Sequence, residues 1–188
     1  LEAIDTLGFR GEALASVASI SRLKLTTNTQ NDASSGWSVQ ASGADMQVEI
    51  SPAPHPRGTT VEIRELFFNT PARRKFLRTE RTEFLKVEEV VRKVSLSHPR
   101  VSFVLSHNGK VTKQYIGDDA AQRVASVFGG AFLESSVCFS QERGGLKLRG
   151  WIGLPTYSRS QADQQFFFVN GRIIRDKVIT HAVKQGYA

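Results

Sequence analysis

Cysteine is almost missing from this chain. Cys138 is the only one in 188 residues, which excludes an intrachain disulfide and any zinc site built on paired thiolates. Its neighbours Val137 and Phe139 alternate with Ser136 and Ser140 as in a strand, so the thiol is expected to be structural, and a reducing compartment fits. Proline is scarce at 6 residues and glycine stops at 15, a composition unlike that of a disordered or low-complexity chain. Long apolar runs are also lacking. The stretch Gln165-Phe166-Phe167-Phe168-Val169 is far shorter than the roughly 20 residues that cross a bilayer as a helix. No basic-then-apolar leader is visible, and Leu1 stands inside what reads as a helix, so the chain is expected to be a fragment.

What is present is enough for a packed core: 40% of the residues are hydrophobic, and the length allows one large domain or two small ones. The formal net charge is +7 and is unevenly placed. Residues 1–78 carry 9 Lys/Arg against 8 Asp/Glu, whereas residues 79–188 carry 16 against 10. An excess of this kind favours an anionic partner such as nucleic acid, and is equally compatible with a well-solvated surface.

The pattern along the chain predicts a helix from Glu12 with Ala13, Leu14, Val17 and Ala18 at helical spacing. Strands follow over Leu23–Thr27, Trp37–Ala41, Met46–Ile50 and Thr60–Arg64, with Pro52, Pro54 and Pro56 forcing an extended loop. Thr70 is placed to cap a helix with Pro71 at its first position, and Phe67, Phe76 and Leu77 are read as apolar anchors. A charged helix is predicted over Thr82–Ser97, with Phe84, Val87, Val91 and Val94 on one face, ended by His98-Pro99. Strands at Ser102–Leu105 and Val111–Tyr115 are joined by Asn108-Gly109, a hairpin turn signal. A helix over Gln122–Phe128, strands near Val137–Gln141, Leu146–Leu154 and Gln165–Val169, and a helix over Lys177–Gln185 complete the reading.

Three stretches have chemistry to offer. Leu7-Gly8-Phe9-Arg10-Gly11 precedes a helix, and two glycines three apart let backbone N–H groups bend around an anion, though such turns also open helices that bind nothing. Gly58-Thr59-Thr60 begins a strand that leads to the basic run Arg73-Arg74-Lys75, and Thr59 offers a small hydroxyl for a base-edge hydrogen bond. Val169-Asn170-Gly171-Arg172 is a sharp turn that presents Arg172 and Arg175, with Lys177 just beyond, a geometry suited to phosphate contacts and equally to a structural turn.

Together, LGFRGEALASVASISRL (residues 7–23) and GTTVEIRELFFNTPARRKFL (residues 58–77) resemble the MutL/Mlh/Pms mismatch-repair family, and the resemblance covers nearly the whole chain. It implies an α+β chain: the C-terminal part of a GHKL (Bergerat) ATPase α/β sandwich over residues 1–78. A ribosomal-protein/gyrase-transducer-like βαβ domain follows over residues 79–188, truncated at its C-terminal end. Gly8, Phe9, Arg10 and Gly11 match the family's third ATP motif, whose backbone amides embrace the phosphates, and Thr59 matches the fourth, which helps hold the adenine. Phe168-Val169-Asn170-Gly171-Arg172 matches a stretch whose arginine contributes to DNA binding.

The resemblance also implies an ATP-driven dimeric clamp that couples mismatch recognition by MutS to a downstream nicking endonuclease and helicase, in the bacterial cytoplasm at the nucleoid. ATP and Mg²⁺ belong to the full-length protein and are not expected to bind tightly here. The family's general-base glutamate, Mg²⁺-holding asparagine and Asp-x-Gly-x-Gly motif find no match in residues 1–188, and Glu12 matches a different motif. No catalytic or metal-binding residue is therefore assigned, and the chain alone is not expected to turn over ATP. A free-standing nucleic-acid-binding module and a gyrase-type topoisomerase relative are the alternatives.

Overall fold

The computed structural model describes Gly8 and residues 11–43, 47–157 and 164–186. The expected helical end at Leu1–Leu7, the motif residues Phe9 and Arg10, and Met46 lie outside the described residues. The chain divides into two compact units, Leu1–Thr79 and Glu80–Ala188.

In the first unit, α1 (Ala13–Ala18) precedes β1 (Arg22–Asn28), β2 (Trp37–Ser42), β3 (Glu49–Pro52), β4 (Gly58–Arg64) and one turn of helix, α2 (Pro71–Arg74). The four strands form one antiparallel sheet in the order β3-β2-β1-β4. Register sorts the side chains, because residues opposite one another in an antiparallel pair share a face. Leu23 pairs with Ala41 and Ile63, Leu25 with Val39 and Val61, and Thr27 with Trp37 and Thr59. One face is therefore apolar until the Thr27 row. Ala18 and Val17 of α1 pack on it at Leu23, Leu25 and Ala41. Val61, Ile63 and Ile50 stay exposed. The third strand lies slightly later than the reading placed it and includes Pro52, which lacks a donor and so suits the edge position β3 occupies.

The exit from β4 ties back to α1. Phe67 donates its N–H to Ile20 O at 2.7 Å and Asn69 Nδ2 donates to Ser19 O at 2.8 Å. Glu65 and Phe67 take positive φ to do so, while Glu65 pairs with Arg22 at 2.9 Å and Arg73 lies over the Phe67 ring. Two expectations fail here. Thr70 stands before α2 at φ −133°, ψ 67°, and its hydroxyl makes no cap bond; it is buried without a partner among the described residues. Its carbonyl accepts from Arg73 and Arg74 N–H instead. Phe76 is 82% exposed and anchors nothing, because α2 ends after a single turn and Leu77 follows it into the open.

The second unit runs α3 (Glu80–Ser97), β5 (Phe103–His107), β6 (Lys110–Tyr115), α4 (Ala120–Phe128), α5 (Gly130–Glu134), β7 (Ser136–Arg143), β8 (Leu146–Gly153), β9 (Phe167–Val169), β10 (Arg172–Ile174) and α6 (Lys177–Gly186). Its described strands pair as three antiparallel ribbons, β5-β6, β7-β8 and β9-β10. Asn108 and Gly109 both take positive φ, closing β5-β6 as the Asn-Gly signal foretold. Asp119 caps α4, its carboxylate accepting Gln122 N–H at 2.9 Å. Rings link the pieces: Phe166 to Phe128, Phe128 to Phe132, and Phe132 edge-on to Tyr157, at centroid distances of 5.6, 5.1 and 5.5 Å.

Arg123 occupies the centre of this unit at 1% exposure. It donates to Ser95 O (2.8 Å), Pro99 O (3.0 Å), Val101 O (2.7 Å) and Ile116 O (2.9 Å). Its Cζ lies 5.6 Å from the ring centroids of both Phe103 and Tyr115. Among the described contacts no carboxylate reaches it, so its charge rests on carbonyl dipoles and ring faces, including the C-terminal end of α3. Burial pushes its pKa below the ordinary arginine value. Gly117 completes the junction: a Cβ there would stand 2.4 Å from Arg100 O.

α3 faces inward along Phe84, Glu88, Val91 and Ser95, and Ser95 is fully buried. Val87, expected on that face, is 49% exposed. Cys138 is exposed on β7, not structural, because that two-stranded ribbon leaves it without a covering layer.

Replacing Arg123 by Ala leaves the carbonyls of Ser95, Val101 and Ile116 without this donor, while Pro99 O keeps Asp118 N–H at 3.0 Å, and is expected to cost about 3–5 kcal/mol in urea unfolding of the chain. Arg123→Lys rescues little, since one ammonium lacks the fork that spans four acceptors. Arg143→Ala on the exposed end of β7 stays within about 0.5 kcal/mol of the parent.

Candidate functional site

The sequence points to one region in each unit. In the first, Gly11 sits at φ +67° immediately before Glu12 and α1, and a Cβ built there meets nothing within 4 Å among the described residues. The backbone is bent into a region open to glycine and leaves room for a ligand to approach. Glu12 makes no side-chain cap bond. Gly58 shows the same combination, φ +138° with open space around it.

Thr59 lies on β4 opposite Thr27 of β1. Their hydroxyls are 2.8 Å apart, and Thr27 Oγ1 also donates to Gly58 O at 3.2 Å. The apolar face of the sheet thus ends in a pair of exposed hydroxyls, four residues along β1 from the Leu23 on which α1 packs. The opposite face at this end is closed by the proline loop. His55 Nε2 lies 2.7 Å from Thr60 Oγ1, and Asn28 Nδ2 donates to both Asp32 O and His55 O at 2.7 Å. The loops flanking the Thr27–Thr59 pair are therefore pinned by buried Asn28, while the pair itself keeps an open side. Thr27 was not singled out from the sequence, because only the β1–β4 register reveals it.

In the second unit, Asn170 and Gly171 both take positive φ, and the β9–β10 hairpin turns there. Arg172 opens β10, paired with Val169, and is half-buried with interactions of its own. Arg175, just past β10, has a side chain 87% exposed and lies 3.9 Å from Glu89 Oε1 of α3. Asp176 caps α6, accepting Ile179 N–H at 2.9 Å, which puts exposed Lys177 at the first helical position. The three cations fall within six residues, with Arg175 and Lys177 free to reach solvent and Arg172 drawn partly into the fold.

Several groups nearby escaped sequence reading. Glu80 accepts from Asn108 Nδ2 and His107 Nε2, each at 2.8 Å, and these contacts hold its pKa below the usual glutamate value. Glu89 is held low likewise, by Lys93 first and then by Lys86 and Arg175. Among the described residues no group of three or more His, Cys, Asp or Glu is arranged to hold a metal ion, and no helix is long and apolar enough to cross a membrane.

Thr59→Val is expected to keep the sheet paired, with a loss below about 1.5 kcal/mol in urea unfolding. A much larger loss would mean that the hydroxyl pair holds the register and is not a spare polar handle.

The chain as a whole is similar to several known proteins. A model described as "DNA mismatch repair protein, C-terminal domain" matches residues 124–188. The DNA mismatch repair protein MutL of Cellvibrio japonicus is 57% identical over 191 aligned residues, covering 100% of this chain, and that of Chromohalobacter salexigens is 54% identical over the same span. The chain spans 30% of the length of each of these curated relatives. Among solved structures, the Aquifex aeolicus MutL ATPase domain complexed with ADP matches with a TM-score of 0.74 at 29% identity, over 96% of this chain and 72% of that one. The N-terminal domain of a DNA repair protein matches in fold with a TM-score of 0.78 at 22% identity, over 96% of this chain.

Proposed function

We propose a function on the premise that this chain belongs to the MutL family of DNA mismatch-repair proteins: it carries one wall of an ATP site and a DNA-contacting hairpin of an ATP-driven repair clamp. In this reading residues 1–78 are the later part of the GHKL ATP-binding domain and residues 79–188 the transducer-like domain beyond it. Gly8, Phe9, Arg10 and Gly11 bind the nucleotide's phosphates through backbone amides. Thr59 holds the adenine pocket. Arg172, Arg175 and Lys177 contact DNA phosphates.

What supports the nucleotide half is the match of 96% of this chain to a MutL ATPase domain complexed with ADP. The open backbone at Gly11 and Gly58 and the exposed Thr59 hydroxyl fit that role. Arg10 adds a fork suited to phosphate oxygens. ATP and Mg²⁺ act in the complete protein, where ATP supplies the energy of clamp closure. This chain's own part is to position phosphates and base, and Glu12 takes no share of the chemistry.

The observation that carries the DNA half is the placement of Arg175 and Lys177, exposed just after a rigid Asn-Gly hairpin in the unit that owns most of the basic excess. Contacts of this kind read phosphate, not sequence. That suits a clamp which must act wherever a mismatch falls. MutS, a nicking endonuclease, a helicase and a second copy of the protein are its partners in this reading, acting in the bacterial cytoplasm at the nucleoid.

The test is fluorescence anisotropy of a labelled DNA oligonucleotide across a salt series. Binding is expected to weaken steeply with salt, and Arg172→Glu to lose about tenfold at low salt. Equal isotherms for the parent chain and Arg172→Glu would remove the hairpin from the DNA interface.

A further inference from the structure

The groove between α3 and the β9–β10 hairpin holds three cations, Arg92, Lys93 and Arg175, against two carboxylates, Glu88 and Glu89. A cavity of about 640 Å³ opens there, lined by Leu85, Glu89, Arg92, Phe166, Ile174 and Arg175 among others. Helical spacing brings Glu89 beside Lys93 and Lys86, as i,i+4 and i,i+3 neighbours. Glu89 Oε1 accepts from Lys93 Nζ and lies 3.9 Å from Arg175, while Oε2 lies 3.7 Å from Lys86 Nζ. One carboxylate therefore serves three cations. Glu88, its neighbour, is engaged by Lys113 at 3.3 Å. Arg92 stacks on the Phe166 ring at 5.0 Å, and its buried Nε has no hydrogen-bond partner among the described residues.

The weakest of these links is the one to Arg175. At 3.9 Å and with its side chain 87% exposed, the Arg175–Glu89 pair is a surface pair of little intrinsic strength. A phosphate offers the same guanidinium a bidentate, charge-assisted partner.

We propose that Glu89 is an internal counterion from which Arg175 is drawn away by phosphate, so that the groove between α3 and the β9–β10 hairpin receives a DNA backbone and Glu89 sets how tightly. The inference rests on the reading of Arg175 as a DNA contact given above and adds what regulates it. Lys93 and Arg92 line the same groove, so the strand that displaces Glu89 from Arg175 meets further positive charge. Glu89 remains held by Lys93 while Arg175 swings away, and the exchange needs no rearrangement of α3.

The experiment measures anisotropy of a labelled DNA duplex with the full 188-residue chain and its Glu89→Gln, Arg175→Gln, doubly substituted and Glu134→Gln forms. Glu134 is exposed on α5, and its substitution changes net charge by the same single unit. Glu89→Gln is expected to bind about fivefold tighter at low salt, with the gain shrinking as salt screens it. Arg175→Gln binds more weakly than the parent, and adding it to Glu89→Gln removes most of the gain. Far-UV circular dichroism checks that α3 stays folded in each form.

A gain for Glu89→Gln no larger than for Glu134→Gln, or one that survives intact in the double form, overturns the proposal. If Arg172→Glu and Arg175→Gln weaken binding while Glu89→Gln leaves it unchanged, the DNA reading stands and the counterion alone falls. If neither the parent nor Glu89→Gln binds at low salt, both are refuted.

Discussion

A single buried guanidinium organises the second unit. Arg123 gathers carbonyls from the last turn of α3, the Pro99–Val101 connection and the end of β6, and it is itself carried by α4. Those carbonyls lie where regular structure stops, and apart from Pro99 O, which also accepts Asp118 N–H, they look to the guanidinium for a donor. The guanidinium reaches all four through its two terminal nitrogens, Nη2 sharing its two hydrogens among three carbonyls. The result is that α3, whose other end is pinned through Glu80 to the Asn108-Gly109 hairpin, becomes a fixed rail. Along that rail Glu88, Glu89, Arg92 and Lys93 line the groove against the β9–β10 hairpin, and Arg175 just past it stays exposed to solvent.

The first unit works by register instead of by one residue. Pairing of β1 with both β2 and β4 collects apolar side chains on one face and stops that face at two hydroxyls. Asn28 locks the adjoining loops. The exposed Val61, Ile63 and Ile50 show how little of that face α1 covers.

Local signals carried the fold a long way and then gave out for a definable reason. Asn108-Gly109 and Asn170-Gly171 were readable because positive φ is a property of the turn residues themselves. The alternation of β1, β2 and β4 was readable for the same kind of reason. Arg123 was not: on a nine-residue helix an arginine reads as a surface residue, and its burial depends on three segments converging from elsewhere. The inward face of α3 was mistaken because buried Ser95 is polar while exposed Val87 is apolar. The Thr27–Thr59 pair depends on register between strands thirty-two residues apart, and the Glu89 cluster on where a distant hairpin docks. Short pieces such as α5 and β10 are below the length at which periodicity speaks.

The most direct measurement of this account is amide hydrogen exchange on the intact chain under native conditions. If Arg123 is the junction described, amides in the last turns of α3, in β6 and in α4 exchange together, at one common opening free energy distinct from that of β1–β4. Exchange of α4 well ahead of α3 and β6 would contradict it, since the carbonyls of those segments would then be held without the guanidinium that is said to join them.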